Sequence, residues 1–136
     1  MGFMEWTKSY SVGVGIFDDE HKKLIALINR LHDAIEAGVG KGDLQDITDG
    51  LVEYTLMHFR HEEMYFDDWA YPAADEHCAM HAALRRQVFD YRRRIQQQDA
   101  AALAGELAAF LRDWLAQHIL VEDHKYGEFL FDKGLR

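Results

Sequence analysis

In four stretches of this chain the apolar residues recur at steps of three and four, the spacing of one buried face of an α-helix. The first runs Leu24, Ile28, Leu31 and Ile35, the second Ile47, Leu51, Tyr54, Tyr65 and Trp69. The third runs Leu84, Val88, Tyr91 and Ile95, the fourth Leu103, Leu107, Phe110, Trp114 and Val121. The one proline, Pro72, stands between the second and third stretches, and Ala, Leu, Glu and Arg are abundant, as long helices require. Short links between such helices make neighbours antiparallel. The expected fold is therefore all-α, an up-down-up-down four-helix bundle with an N-terminal arm and a short C-terminal helical segment.

Local signals place the ends. Asp18 is expected to cap the first helix, with Asp19 and Glu20 in its first turn, and Gly38, Gly40 and Gly42 to end it and form a loop. Asp43 and Asp99 are expected to cap the second and fourth helices, and Pro72 suits the first turn of the third. A fifth segment is expected to end near Gly134. Residues 1–17, with Gly2, Gly13 and Gly15 among Phe3, Trp6, Tyr10 and Phe17, show no helical period and read as an ordered arm whose aromatics pack on the domain. The length of 136 residues fits one domain over 1–136.

Charge narrows the partners. A net charge of −9 argues against nucleic acid, whose phosphates need a basic surface, and against an anionic membrane face. Arg92, Arg93 and Arg94 form a compact basic run that reads as a solvated helix face. With Cys78 alone no intrachain disulfide can form. The absence of a signal-peptide pattern and of a membrane-length apolar run leaves a cytoplasmic location as the expectation.

The four stripes are apolar except where they hold His21, His58, Glu62, His77, His81 and His118. Burying that many imidazoles and a carboxylate without partners costs several kcal/mol each, more than a marginally stable domain can absorb. Something positive must sit among them, and a metal is the simplest candidate. His58 and Glu62 stand four apart, as do His77 and His81, so each pair shares a helix face. His118 and Asp123 stand five apart and would diverge by about 140° on a regular α-helix. The helix is therefore expected to loosen or end near residues 121–123. Five histidines and two carboxylates are too many donors for one tetrahedral zinc and suit two metals of higher coordination. The missing thiolates argue against copper(I) and iron–sulfur clusters; spacing does not separate iron from manganese.

The segments HFRHEE (58–63), HCAMH (77–81) and HILVED (118–123), with His21 in FDDEHKKL (17–24), resemble the hemerythrin family pattern, and the resemblance covers nearly the whole chain. It implies two iron ions with a bridging oxo or hydroxo group. His77, His81 and His118 are then the ligands of one iron, His21 and His58 of the other, and Glu62 and Asp123 bridge both. The five-ligand iron carries the open position for O2. The resemblance further implies an apolar O2 pocket of Leu24, Phe59, Leu84, Trp114, Leu115 and Ile119. Ala70 departs from the pattern, since a glycine is common at that place. The function implied is reversible O2 binding for carriage, storage or delivery, by a protein that is not an enzyme. A monomer is expected, and a protein partner is left open. A di-iron enzyme, or a sensor of O2, redox state or nitric oxide, stands as the alternative. An enzyme needs a proton donor near the open metal, and Tyr54 and Tyr65 are the candidates on the second stripe.

The remaining chemistry-bearing residues have plainer readings. His32, His61 and His124 read as surface or boundary histidines, and Glu63 as facing solvent. Cys78 reads as a small buried hydrophobe, and Met57, Met64 and Met80 as core filler.

Overall fold

The computed structural model describes residues 3–135, so Gly2 and Arg136 lie outside the described residues. Four long helices, α1 (Gly15–Glu36), α2 (Lys41–Asp68), α3 (Ala74–Gln97) and α4 (Ala100–Gln117), follow one another through short connections. A π-helical segment, His118–Asp123, and a short α5, His124–Asp132, complete the order. At 1.5 Å per residue the long helices span about 27 to 42 Å. Each packs on the next and α1 closes on α4, the ring of an up-down-up-down bundle. The all-α bundle expected from the periodicity is the fold observed.

The buried face of each helix is the one its period marks. On α1 it is Phe17, His21, Leu24, Ile25, Ile28 and Leu31; on α3 it is His77, His81, Leu84, Val88 and Ile95. On α2 the expected stripe holds in part, with Leu51, His58 and Glu62 buried. Leu44, Thr48, Leu51, Thr55, Phe59 and Phe66 are buried, while Ile47, Tyr54, Tyr65 and Trp69 lie at the boundary. Val121 of the fourth stripe is exposed, because the π-helical turn rotates it outward. Met57 and Met64 are exposed and Met80 is half-buried, so these methionines are not core filler. Cys78 is likewise only half-buried.

Several ends differ from expectation. Helix α1 begins at Gly15, and Asp18 lies inside its first turn, where its carboxylate accepts the amide of Val12 (2.8 Å) and the hydroxyl of Ser11 (2.5 Å). Asp18 thus ties down the arm rather than capping the helix, and the arm is shorter than residues 1–17. Helix α2 begins at Lys41 behind Gly40, so Asp43 sits in its first turn and Gly42 is helical. Pro72 lies in the turn before α3. Asp99 does cap α4, accepting the amide of Ala102 at 3.2 Å.

Helices α1, α2 and α5 end alike. A residue of positive φ follows the C-cap, and the next amide reaches back to a carbonyl in the last turn. Gly38 and Gly134 supply that conformation with φ of 72° and 101°. At the end of α2 the residue is Ala70, with φ 54°.

The arm packs as expected. Phe3 stacks on His32 with ring centroids 4.1 Å apart, and Met4 and the Asn29 side chain exchange two hydrogen bonds at 2.8 and 2.7 Å. Val12 crosses directly over Gly127 of α5. No helix among the described residues is long and apolar enough to cross a membrane.

Candidate metal centre

Four elements converge on one buried cluster at the core of the bundle. His21 comes from α1, His58 and Glu62 from α2, His77 and His81 from α3, and His118 and Asp123 from the π-segment; all seven are buried. The seven residues selected from the sequence are therefore brought together. The i, i+4 pairs lie on single helix faces as their spacing requires. The five-residue interval from His118 to Asp123 is met by the π-helix, whose wider turn hydrogen-bonds i to i+5 and returns Asp123 to the face of His118. The helix loosens, as the spacing demands, over the whole of residues 118–123.

The donor atoms form two groups. His77, His81, His118 and Asp123 make one, and His21, His58, Glu62 and Asp123 the other, with one donor atom from each residue within 4.8 Å of the rest of its group. In the first, the Nε2 atoms of His77 and His118 are 3.1 Å apart, and each is 3.1 Å from Asp123 Oδ1. Neighbouring ligands around an ion with bonds of about 2.1 Å are about 3 Å apart, so this triangle has the size of one face of a coordination octahedron.

Both carboxylates face both groups. Asp123 turns Oδ1 to His77 and His118 and Oδ2 to His21, at 3.1 Å in each case. Glu62 turns Oε1 to His81 (3.2 Å) and Oε2 to His58 (3.2 Å) and His21 (3.5 Å). Each can therefore place one oxygen on each of two ions.

Electrostatics point the same way. Burial opposes charge on His21, but the carboxylates of Asp123 and Glu62 close to its Nε2 outweigh it and raise its pKa to about 10. Against the same opposition, His58 is shifted up by Glu62 and Glu20, and His81 by Glu62, Glu63 and Asp123. Burial pushes the Glu62 and Asp123 carboxyls up, yet the surrounding imidazoles bring both well below the usual carboxylate range. The cavity thus calls for positive charge. Even so, both ring nitrogens of His21, Nε2 of His81, Oε1 of Glu62 and Oδ1 of Asp123 are buried without a hydrogen-bond partner. Of these orphaned atoms, Nε2 of His21 and His81 and the two carboxylate oxygens gather in one cluster, which fits a bound metal.

A second layer fixes the ligands. Nδ1 of His58 bonds Glu20 at 2.6 Å, and Nδ1 of His81 bonds Glu63 at 2.8 Å. Each ring then donates through Nδ1 and turns its Nε2 lone pair to the centre. The buried hydroxyl of Tyr126 donates to Glu62 Oε2, and its phenol is pushed well above its ordinary range by burial and by the charges of Glu62 and Asp123. Sequence reasoning missed these three. Glu20 reads as a first-turn acid, Glu63 as solvent-facing and Tyr126 as part of an unassigned tail. The signal available was that Glu20 and Glu63 each adjoin a ligand, His21 and Glu62.

His61, read as a boundary histidine, is half-exposed and bonds Glu20 at 2.6 Å. His32 and His124 are likewise only partly exposed and stand outside both donor groups. Tyr54 lies at the boundary beside Lys23, and Tyr65 meets Phe17 and His61 edge-on. Of the apolar residues, Leu24, Phe59, Leu84, Leu115 and Ile119 are buried and Trp114 is half-buried. Phe59 stacks on His81 with centroids 3.8 Å apart, and Trp114 on His118 at 4.3 Å.

The chain resembles known proteins along nearly its whole length. It is 32% identical to a bacteriohemerythrin of Pseudomonas aeruginosa (strain LESB58), over 98% of this chain and 91% of that protein. It is 31% identical to one from Methylococcus capsulatus (strain Bath), over 96% of this chain and 98% of that one. The crystal structure of a wild-type hemerythrin superposes with a TM-score of 0.81 at 31% identity, covering 93% of this chain and 96% of that one. Residues 12–130, which hold every residue of the two donor groups, match the hemerythrin HHE cation binding domain, and the chain belongs to the hemerythrin family.

Proposed function

We propose that the chain binds O2 reversibly at a non-heme di-iron centre. The carrying observation is the arrangement of Glu62 and Asp123, each of which faces both imidazole groups. His77, His81 and His118 would hold one iron and His21 and His58 the other, with Glu62 and Asp123 facing both, so that the second would have fewer protein ligands. When bound there in its reduced state, the iron would supply the electrons that O2 binding requires.

The chain's own residues favour reversal. Five imidazoles and two carboxylates donate less negative charge than a carboxylate-rich set, which disfavours high-valent iron and O–O cleavage. Leu24, Phe59, Leu84, Trp114, Leu115 and Ile119 form the apolar pocket in this reading, and their side chains limit water and proton delivery. A cavity of about 230 Å³ lined by Trp114, Gln117, His118, Val121 and Glu122 brings the surface to one ligand. Tyr126 is held by Glu62 with its proton kept firmly on the phenol oxygen, which makes it a poor acid for turnover. The same reading takes residues 1–136 as one domain, acting as a cytoplasmic monomer and not as an enzyme.

The test is optical. Iron-loaded, reduced protein is exposed to air and then deoxygenated. A charge-transfer band that appears and disappears, with about two irons per chain by elemental analysis, is the expected result. Immediate permanent oxidation, or a reproducible single zinc, overturns the reading.

A further inference from the structure

Behind each metal position one ligand imidazole leans on a carboxylate, but the two carboxylates have different company. Glu20 accepts from His58 Nδ1 through Oε1 and from His61 Nδ1 through Oε2, both at 2.6 Å. It forms no ion pair with arginine or lysine among the described residues. Glu63 accepts from His81 Nδ1 at 2.8 Å through the same oxygen that faces the Arg85 guanidinium at 3.5 Å. Arg60 lines both the cavity beside Glu20 and the one beside Glu63, so it does not distinguish them.

A carboxylate hydrogen-bonded to the far nitrogen of a metal-bound imidazole makes that imidazole a stronger donor, and a stronger donor stabilises the more oxidised metal. A permanent cation on the same carboxylate oxygen withdraws part of that charge, and arginine is always a cation. Glu20 shares its charge with His61 through its other oxygen, whereas Glu63 faces a permanent cation through the very oxygen that holds His81, so His81 receives the more reduced effect.

We propose that Arg85 is a positioning and tuning residue that makes the two metal positions unequal. It holds the His77/His81/His118 position toward the reduced state, so that the His21/His58 position is the first to give up an electron. The inference rests on the di-iron reading above and deepens it. The more easily oxidised position is then the one that keeps a coordination site open, and the charges set outside the ligands direct electron loss there. Arg85 is about one-third exposed, so solvent screens it, and the effect is a tuning of the centre rather than a condition for building it.

The experiment compares the iron-loaded chain with Arg85→Met, which removes the charge and keeps the length, and Arg85→Lys, which keeps the charge. Iron content is measured first, then the two one-electron steps are followed by potentiometric titration, with Mössbauer spectra of the half-oxidised protein to locate the ferric ion. In Arg85→Met the iron content is unchanged and the second oxidation becomes easier. The spacing between the two steps shrinks by about tenfold in equilibrium constant, or about 59 mV for one electron. The ferric ion then spreads over both positions, and Arg85→Lys restores the parent behaviour. If Arg85→Met binds two irons and leaves spacing and ferric location unchanged, the inference is overturned while the di-iron reading stands. If Arg85→Lys behaves like Arg85→Met, charge is not the cause and the inference is again overturned. A parent protein that does not take up two irons overturns both readings.

Discussion

Asp123 belongs to both donor groups and Glu62 faces histidines of both, whereas every histidine belongs to one. In the proposed di-iron reading, removing either carboxylate would take a ligand from two ions at once and remove negative charge between them. Glu62→Ala and Asp123→Ala are therefore expected to lose most of the bound iron, as measured by elemental analysis after desalting. His32→Ala and His124→Ala are expected to keep it, since neither belongs to a donor group. Iron lost as readily from His124→Ala as from Asp123→Ala would show that the ligand of the π-segment has been misassigned. At this scale six of the seven candidate donors are legible because they break an apolar period, where a buried polar residue is conspicuous; Asp123 lies off the stripe and is legible only through the family resemblance. Glu20, Glu63 and Tyr126 are not legible, because an acid beside a ligand reads as a solvated helix residue until a partner helix is packed against it.

Helix ends and crossings carry the next two expectations. Ala70 holds the left-handed conformation that Gly38 and Gly134 hold at the other two ends of this kind. A side chain with a Cβ in that region costs about 1 to 2 kcal/mol, while glycine loses about 0.4 to 1 kcal/mol through its freer unfolded chain. Ala70→Gly is expected to raise stability by up to about 1 kcal/mol, read as a higher denaturation midpoint at unchanged slope. A lower midpoint would show that the strain at Ala70 is already relieved. The opposite holds at Gly127. A Cβ there would stand 2.2 Å from the Val12 carbonyl oxygen, and backbone cannot swing aside as a side chain can. Gly127→Ala is expected to cost about 1 to 3 kcal/mol and to loosen the arm, seen as faster amide exchange around Val12. Unchanged exchange would separate the arm from α5. Sequence reasoning placed the stop at Gly38 but gave Asp18 and Asp43 as caps. An acid one to three residues inside a helix and an acid at its cap look alike in sequence; which one it becomes depends on where the preceding chain runs.

For the whole molecule, metal and stability are linked through the same ionisable groups. Without metal, His21 titrates near 10 when folded and near its ordinary 6.5 when unfolded. Its raised pKa contributes stability that is full below about pH 6.5 and is lost as the pH climbs toward about 10. His58 and His81, also raised, act in the same direction, while the depressed carboxyls of Glu62 and Asp123 keep their contribution until the pH falls well below the carboxylate range. Bound metal needs the imidazoles neutral, so acid competes with it. The melting temperature of chelator-stripped protein is therefore expected to fall from pH 6.5 to 9, and the gap to the iron-loaded form to widen over the same range. Free metal at 100 times its dissociation constant adds about 2.7 kcal/mol by mass action. A gap that is constant or narrows with rising pH, with iron confirmed bound throughout, would place the metal away from these residues.

The sequence by itself determined the helical class, the four long elements and six of the seven candidate donors, because each rests on short-range periodicity in which a polar residue at a buried position is visible at once; Asp123 came with the family resemblance. It also required a departure from the α-helix near Asp123, since five residues do not return to the same face of a regular helix. The tertiary structure decided what only a second helix can supply. It turned that departure into a π-helix running from His118 to Asp123, so that one aspartate reaches His77, His118 and His21. It also set Glu20 of α1 behind His58 of α2, and Glu63 of α2 behind His81 of α3. Such pairings join residues tens of positions apart, and the packing of one helix against another, rather than any interval along the chain, fixes them.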